Sequence, residues 1–270
     1  MSFIPVKELR KKYQVRPSKG LGQNFLIDNS ELNKIIDSAD LKENDVVLEI
    51  GPGTGNLTQE LVKRVKTVIA VEKDPQMIEI LKKTFRDFTN IEIVQGDILK
   101  IKELKIKNYK IVANLPFYLT APVIRKFLEV ENPPKEMILV IQKEVAQRIC
   151  VKTPDMNLLA ISVQFYAYPK IISYISKKSF WPKPKVDSAI IRIIPKEDKE
   201  KDASRDLFFK IVKAGFSQPR KQILNNLSSG LKIEKGEIIT WLLQNNIKPA
   251  QRAETLEVGN WIKLAKSFKI

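Results

Sequence analysis

The chain has 270 residues, 43% of them hydrophobic, which suffices for one large domain with a core and a smaller second domain. It carries 47 lysine and arginine residues against 31 acidic ones, and the net charge of +16 favours a polyanionic partner, with nucleic acid as the leading candidate. With no histidine and only one cysteine, Cys150, the chain excludes a Cys/His metal site, a histidine-based triad and an internal disulfide. A lysine-rich surface that only promotes solubility is the alternative reading of the charge.

Residues 1–30 predict a basic arm that leads into the first domain. Lysines and arginines in its first twenty residues face only one acid, Glu8, so Lys11 and Lys12 are predicted to contact RNA. The chain has neither an apolar run of about 18 residues nor an apolar leader, so a cytoplasmic location without membrane contact is predicted.

Residues 31–196 alternate between apolar runs and helical stretches, a pattern typical of repeated βα units in a Rossmann-like α/β domain with about seven strands. The predicted strands are Val46–Ile50, Thr67–Val71, Ile91–Val94, Ile111–Ala113, Met137–Ile141, Ala160–Phe165 and Ala189–Pro195. The predicted helices are Leu57–Val65, Pro75–Phe85 and Lys143–Cys150. A Pro- and Lys-rich loop, Trp181–Lys185, joins the last two strands and predicts an antiparallel edge.

The composition becomes wholly charged at Pro195–Asp202, which predicts a linker. Residues 203–270 then predict a small all-helical RNA-binding domain, with helices Leu207–Phe216, Gln222–Leu227, Ile238–Asn245 and Trp261–Phe268. Arg220 and Lys221 are predicted to contact phosphates from the start of a helix in this domain.

Ligand-type residues follow four successive predicted strands. Gly51 and Gly53 form a turn where backbone can approach a ligand, Glu72 can accept from ribose hydroxyls, and Asp97 from an adenine amino group, with Asn114 ending the fourth strand. Singly, Glu72 or Asp97 is better explained as a solvated loop carboxylate. Because these strand ends share the ligand-binding edge of an open α/β sheet, together they predict S-adenosylmethionine as the cofactor of a methyltransferase.

The segment Asn114–Phe117 suits methylation of an exocyclic amine. The Asn114 side-chain oxygen and the Leu115 carbonyl can each accept an amine hydrogen, which frees the nitrogen lone pair for attack. Pro116 stiffens the turn and Phe117 offers a face for the base, so these four residues are the predicted catalytic set. An ordinary strand-ending turn is the alternative.

Seven segments resemble the ribosomal RNA small-subunit adenine N6,N6-dimethyltransferases of the KsgA type. In chain order they are Gly20–Asp28, Val47–Thr58, Asn114–Thr120, Gln142–Arg148, Phe180–Ala189, Phe216–Lys221 and Gln251–Glu254. The resemblance covers nearly the whole chain. It implies that Asn24 and Leu26 contact S-adenosylmethionine, with Gly51 and Asn114 at its methionine end. It also implies that Glu72 contacts the ribose and Asp97 the adenine of this cofactor. Asn114 is further implied to contact the target base.

Aromatic and basic residues complete the predicted site. Phe25, Phe117 and Phe180 are candidates for stacking on a flipped adenine, with core packing as the alternative for each ring. Lys183 and Lys185, separated by Pro184, form a rigid basic loop predicted to contact phosphates, with a solvated face as the alternative.

The chain departs from the family pattern at two places. Phe117 stands where the family more often has tyrosine, which keeps a stacking face and removes a hydroxyl, so activity is expected to survive. Asp155–Leu159 stands where a Tyr-Gly pair is usual, which affects a loop rather than the chemistry.

The resemblance implies dimethylation of two adjacent adenosines near the 3′ end of 16S-type RNA, in ribosome biogenesis. The implied partner is the immature small ribosomal subunit, and the protein is expected to be a monomer that needs no metal. One alternative is the related large-subunit methyltransferase that confers antibiotic resistance. Another is a non-catalytic assembly or transcription factor on the same fold, against which Glu72, Asp97 and Asn114 argue.

Overall fold

The structure is a computed structural model that describes residues 8, 13–18, 20–101, 106–197 and 204–268. The described residues form two compact units, the first within residues 1–146 and 170–195, the second within residues 147–169 and 196–270. Lys11, Lys12 and most of the predicted linker lie outside the described residues.

Seven of the described strands form one mixed sheet. The strands are β1 (Phe25–Leu26), β2 (Val46–Ile50), β3 (Thr67–Glu72), β4 (Ile91–Gln95), β5 (Tyr109–Asn114), β6 (Met137–Gln142), β7 (Ala167–Ile175), β8 (Phe180–Trp181) and β9 (Ser188–Pro195). The sheet order is β4-β3-β2-β5-β6-β9-β7, while β1 and β8 pair separately. Strands β2 to β6 pair in parallel, and β9 runs antiparallel to β6.

Helices follow the strands as βα units require. They are α1 (Asn29–Ser38), α2 (Asn56–Leu61), α3 (Pro75–Thr84), α4 (Thr120–Glu129), α5 (Lys143–Cys150), α6 (Leu158–Tyr166), α7 (Arg205–Gly215), α8 (Ile223–Leu231), α9 (Lys235–Gln244) and α10 (Val258–Ser267). The central strands read as apolar runs because both sheet faces are covered; Val47, Leu48 and Ile50 of β2 are all buried.

Two aspartates start helices next to the predicted ligand residues. The Asp28 carboxylate accepts from the Ser30 and Glu31 backbone N–H groups and begins α1. Asp74 accepts from the Gln76 N–H and begins α3, with Pro75 in the first turn. These caps fix the direction in which the chain leaves Leu26 and Glu72.

Six predicted strands are confirmed with small changes at their ends, as are the predicted helices of both regions. The predicted strand Ala160–Phe165 is wrong, because these residues lie within α6. The Asn157 side chain accepts from the Ala160 N–H at 3.0 Å and starts a helix that is apolar on most sides. The seventh strand of the sheet is β7, which follows directly.

The second unit is built from helices around aromatic side chains. Phe165 of α6 stacks on Phe208 of α7 with ring centroids 4.1 Å apart, and Trp261 of α10 is fully buried. Residues 147–169 therefore group with the C-terminal helices, whereas the sequence assigned them to the region 31–196. Within the described residues, no helix combines the length and hydropathy needed to span a membrane.

Candidate active site

One cavity lies at the carboxyl ends of β2, β3, β4 and β5. Every residue predicted to bind the cofactor, hold the target base or stack on it lines this cavity: Asn24, Phe25, Leu26, Gly51, Gly53, Glu72, Asp97, Asn114, Leu115, Pro116, Phe117 and Phe180. The structure thus brings the predicted residues together, and their contacts with ligands stay predictions.

Glu72 is fixed by the backbone around it. Its Oε2 atom accepts from the Gly53 N–H at 3.0 Å, and Oε1 accepts from the N–H groups of Lys73 and Asp74 at 2.8 and 2.9 Å. Burial raises the pKa of Glu72, while these hydrogen bonds oppose the rise. A carboxylate offers about four acceptor positions, so acceptor capacity remains on Oε2 for a ligand hydroxyl.

Asp97 is paired with a cation that the sequence analysis did not single out. The Lys73 ammonium lies 3.0 Å from Asp97 Oδ2 and holds the pKa of that carboxyl below its ordinary value. The following turn is anchored by Lys126 of α4, whose Nζ donates to the carbonyls of Leu99 and Ile101. Lys73 directly follows Glu72, and this adjacency was the available sequence signal.

Asn114 is oriented by the residue that precedes β1. Its Nδ2 donates to the Asn24 carbonyl at 3.0 Å, which leaves Oδ1 as the acceptor available to a substrate amine. The Leu115 N–H donates to Val140 of β6 at 3.2 Å, and the Leu119 N–H donates to Pro116 at 2.9 Å. The turn at residues 114–119 is therefore held by hydrogen bonds to Asn24 and to Val140 of β6 as well as within itself.

The three predicted stacking rings occupy different environments. Phe25 is 7% exposed and stacks on Trp181 at a centroid distance of 6.1 Å, and a Cβ on Gly53 would lie 2.8 Å from its ring. Phe180 is 4% exposed and belongs to the main core cluster. Phe117 is half-buried, so it offers more ring surface than the other two.

Tyr118 and Glu49 are cavity residues that the sequence analysis missed. Tyr118 is 51% exposed, and a Cβ at Gly22 would lie 3.4 Å from its ring. Glu49 is 1% exposed, and burial raises its pKa to about 8. An acid inside the apolar run of β2, two residues before Gly51, was the sequence signal for Glu49.

The cavity suits a cationic ligand that carries a ribose. Glu49 Oε2 is buried without a hydrogen-bond partner among the described residues, and an ammonium group could satisfy it. Gly51 and Gly53 adopt φ values of 67° and 56°, and a Cβ on Gly51 would approach only Pro116, at 3.9 Å. No group of three or more His, Cys, Asp or Glu side chains in the described chain could hold a metal ion.

Lys183, Lys185, Arg220 and Lys221 do not line the cavity. Lys183 and Lys185 are exposed in the loop between β8 and β9. Arg220 and Lys221 are exposed in the second unit, in the turn before α8 rather than within a helix, because α8 begins at Ile223.

The sheet order, the glycine turn after β2 and the acids at the carboxyl ends of β3 and β4 define an S-adenosylmethionine-dependent methyltransferase. The family model described as "Ribosomal RNA adenine dimethylase" matches residues 15–269. The chain belongs to this family of ribosomal RNA adenine dimethylases.

Individual relatives agree with this assignment. "Ribosomal RNA small subunit methyltransferase A" of Dehalococcoides mccartyi is 45% identical over 267 residues, which cover 97% of this chain and 92% of the relative. The crystal structure of a dimethyladenosine transferase from Plasmodium falciparum has a TM-score of 0.75 at 30% identity and covers 88% of this chain and 94% of that one. The 23S rRNA methyltransferase ErmE has a TM-score of 0.72 at 23% identity, with 90% and 98% coverage, and shows the shared fold.

Proposed function

We propose that this enzyme dimethylates N6 of two adjacent adenosines near the 3′ end of small-subunit ribosomal RNA. The carrying observation is the hydrogen bond between Asn114 Nδ2 and the Asn24 carbonyl, because it leaves Oδ1 as the acceptor of a residue that lines the cavity. The relatives named as small-subunit methyltransferases support the choice of RNA.

The chain's own residues position the reacting amine. Asn114 Oδ1 and the Leu115 carbonyl accept the two N6 hydrogens, which directs the nitrogen lone pair towards the cavity. Phe117 offers a face on which the flipped adenine stacks. The bound cofactor supplies a methyl group on a sulfonium whose thioether leaves without protonation.

No strong base is needed at this site, because the amine can lose its proton to solvent after attack. A chain without histidine is consistent with such chemistry. Alignment of the amine then provides most of the rate enhancement, which explains why the catalytic turn is held by β6 and by Asn24.

The proposed substrate particle is the immature small ribosomal subunit, bound by the protein as a monomer in the cytoplasm. Lys183, Lys185, Arg220 and Lys221 would contact RNA phosphates, because they are exposed lysines and arginines in a chain with a net charge of +16. Lys11 and Lys12 would add contacts from the basic arm.

Mass spectrometry of RNA from unmodified small and large subunits, each incubated with enzyme and S-adenosylmethionine, tests this function. Two adjacent N6,N6-dimethyladenosines in the small-subunit RNA are expected. Modification of large-subunit RNA alone would contradict the proposal and favour the antibiotic-resistance type. Absent transfer to either RNA, with no heat of cofactor binding, would favour a non-catalytic nucleic-acid-binding role.

A further inference from the structure

Strand β7 exposes a mixed aromatic and basic face at the edge of the sheet. Its burial pattern alternates strictly, and the outward residues in the first unit are Lys170, Ile172 and Tyr174. Ile172 is 40% exposed and Tyr174 is 48% exposed. Large apolar side chains that lie on one strand face, two residues apart, are unusual unless the surface has a partner.

Lysines surround this face and connect it to the cavity. Lys143 Nζ lies 5.1 Å from the centroid of the Tyr174 ring. Beyond the strand, Lys177 Nζ donates to the Lys185 carbonyl at 3.4 Å. Lys185 belongs to the loop that follows β8, and Phe180 of β8 lines the cavity. We call Lys143, Lys170, Ile172, Tyr174 and Lys177 the β7 surface.

We propose that the β7 surface binds single-stranded RNA that flanks the target adenosine, with a base stacked on Tyr174 and phosphates beside the lysines. This inference rests on the proposed function. In this arrangement the RNA strand runs from the cavity past the Lys183–Lys185 loop, whose Lys185 carbonyl accepts from Lys177, to Tyr174.

The chemistry of the surface favours RNA over a protein partner. The outward residues of β7 in the first unit include no acid, and the Asp187 carboxylate in the adjoining loop accepts from the Lys177 backbone N–H at 3.0 Å. An exposed ring beside ammonium groups is the combination that binds a base and its phosphate at once.

RNA oligonucleotides that contain two adjacent adenosines, with single-stranded flanks of increasing length, test the proposal by fluorescence anisotropy. The unaltered protein should gain affinity as the flank lengthens. Tyr174→Ala should lose about tenfold in affinity for the long RNA and little for the short one. Tyr174→Phe should retain affinity, because the ring face remains.

The lysines have a separate readout. Lys143→Ala together with Lys170→Ala should reduce the slope of log affinity against log salt by about 1.4, since each single-strand phosphate contact contributes about 0.7. Lys34→Ala is the matched control, because Lys34 lies on α1 and pairs with Glu31. An unchanged Kd for S-adenosylmethionine in each variant would show that the fold and the cofactor site are intact.

Three results would overturn the proposal that the β7 surface binds RNA. One is equal affinity of the Tyr174→Ala variant and the unaltered protein for every RNA length. The second is an unaltered protein that gains nothing from longer flanks. The third is a variant that binds every RNA normally and loses only its binding to whole subunits, which would identify another part of the subunit as the ligand. None of these depends on methyl transfer, so failure of the proposed function would be seen separately.

Discussion

The two ends of the sheet in the first unit both bury charged side chains, but they balance them differently. At the amino ends of the parallel strands, Lys110 Nζ lies 3.1 Å from Asp45 Oδ2 and 3.0 Å from Glu136 Oε1, and Arg192 Nε lies 2.7 Å from Glu136 Oε2. At the carboxyl ends, the buried carboxylate of Glu72 accepts hydrogen bonds from backbone N–H groups.

This difference distinguishes charged residues that stabilise the fold from charged residues that can bind a ligand. The Lys110 cluster also binds the end of α1, since Lys110 Nζ donates to the carbonyls of Ala39 and Asp40 at 2.9 and 2.8 Å. In the cavity, Glu49 Oε2 has no hydrogen-bond partner within the described residues, so a cationic cofactor can neutralise the charge of this carboxylate. Substitutions at the first end should change stability, and substitutions at the second should change binding and rate.

The largest expected effect is that of Asn114→Ala at the cavity end. The substitution removes the Oδ1 acceptor, so we expect methyl transfer to fall by about 10³-fold. The Kd for S-adenosylmethionine should rise by no more than about tenfold, because one hydrogen bond to the backbone is lost. Initial rates and calorimetry would measure the two quantities. Asn132→Ala, at an exposed turn, is the control, and full activity of the Asn114 variant would refute its role.

Lys110→Met tests the charged cluster at the amino ends of the parallel strands. It leaves Asp45 and Glu136 buried without that cation, so the free energy of unfolding should fall by about 3–5 kcal/mol. Urea denaturation would measure this loss. Lys42→Met is the control, because Lys42 forms an exposed pair with Asp40 and should leave the transition unchanged. An equal stability of the Lys110 variant and the unaltered protein would contradict a structural role.

Glu72→Gln should have a smaller effect, and on binding rather than stability. The amide has one acceptor atom where the carboxylate has two, and its NH₂ group would face backbone donors, so the turn at Gly53 would be held less well. We expect a 10- to 100-fold rise in the Kd for S-adenosylmethionine, or about 1.5–3 kcal/mol. Calorimetry at neutral pH measures this Kd. A large loss of stability with normal cofactor affinity would contradict the assignment of Glu72 to binding rather than to stability.

At neutral pH, Glu49 should produce the smallest effect, visible as a pH dependence. Its pKa of about 8 in the folded chain exceeds the ordinary value of 4.5, so the folded chain holds a proton that the unfolded chain has lost between these values. The stability of the free protein should therefore fall as pH rises through this window. Cofactor affinity should instead increase as pH rises towards 8, by up to about tenfold per unit, if the cation pairs with ionised Glu49.

Calorimetry in buffers of different ionisation enthalpy would detect the proton that Glu49 releases on cofactor binding. Glu49→Gln should bind the cofactor more weakly and should show neither the proton release nor the pH dependence of affinity. A pH dependence that persists in this variant would assign the proton to another group.

The cavity edge was predictable because its residues follow strands that are strongly apolar. Glu72 and Asn114 end β3 and β5, and the parallel arrangement alone places strand ends together. The Asn24–Asn114 and Gly53–Glu72 hydrogen bonds were not predictable, since they join segments that are distant in the chain and depend on side-chain orientation. The Lys110 cluster was hidden for the same reason.

The failure at Ala160–Phe165 has a local cause. The run is short and apolar and contains Ile161 and Val163, so periodicity cannot distinguish a buried helix from a buried strand. The strand that follows, β7, was not predicted, and it contains Pro169, which an edge strand can accommodate.

The pairing of β1 with β8 has a consequence for how the protein is made. Phe25 pairs with Trp181 and Leu26 with Phe180, so the wall of the cavity joins residues from the first and the last parts of this unit. During translation, the Phe25–Leu26 segment has no partner strand until Trp181 has left the ribosome. We therefore expect a nascent chain to acquire tight cofactor binding late in synthesis, after most of the sheet has formed.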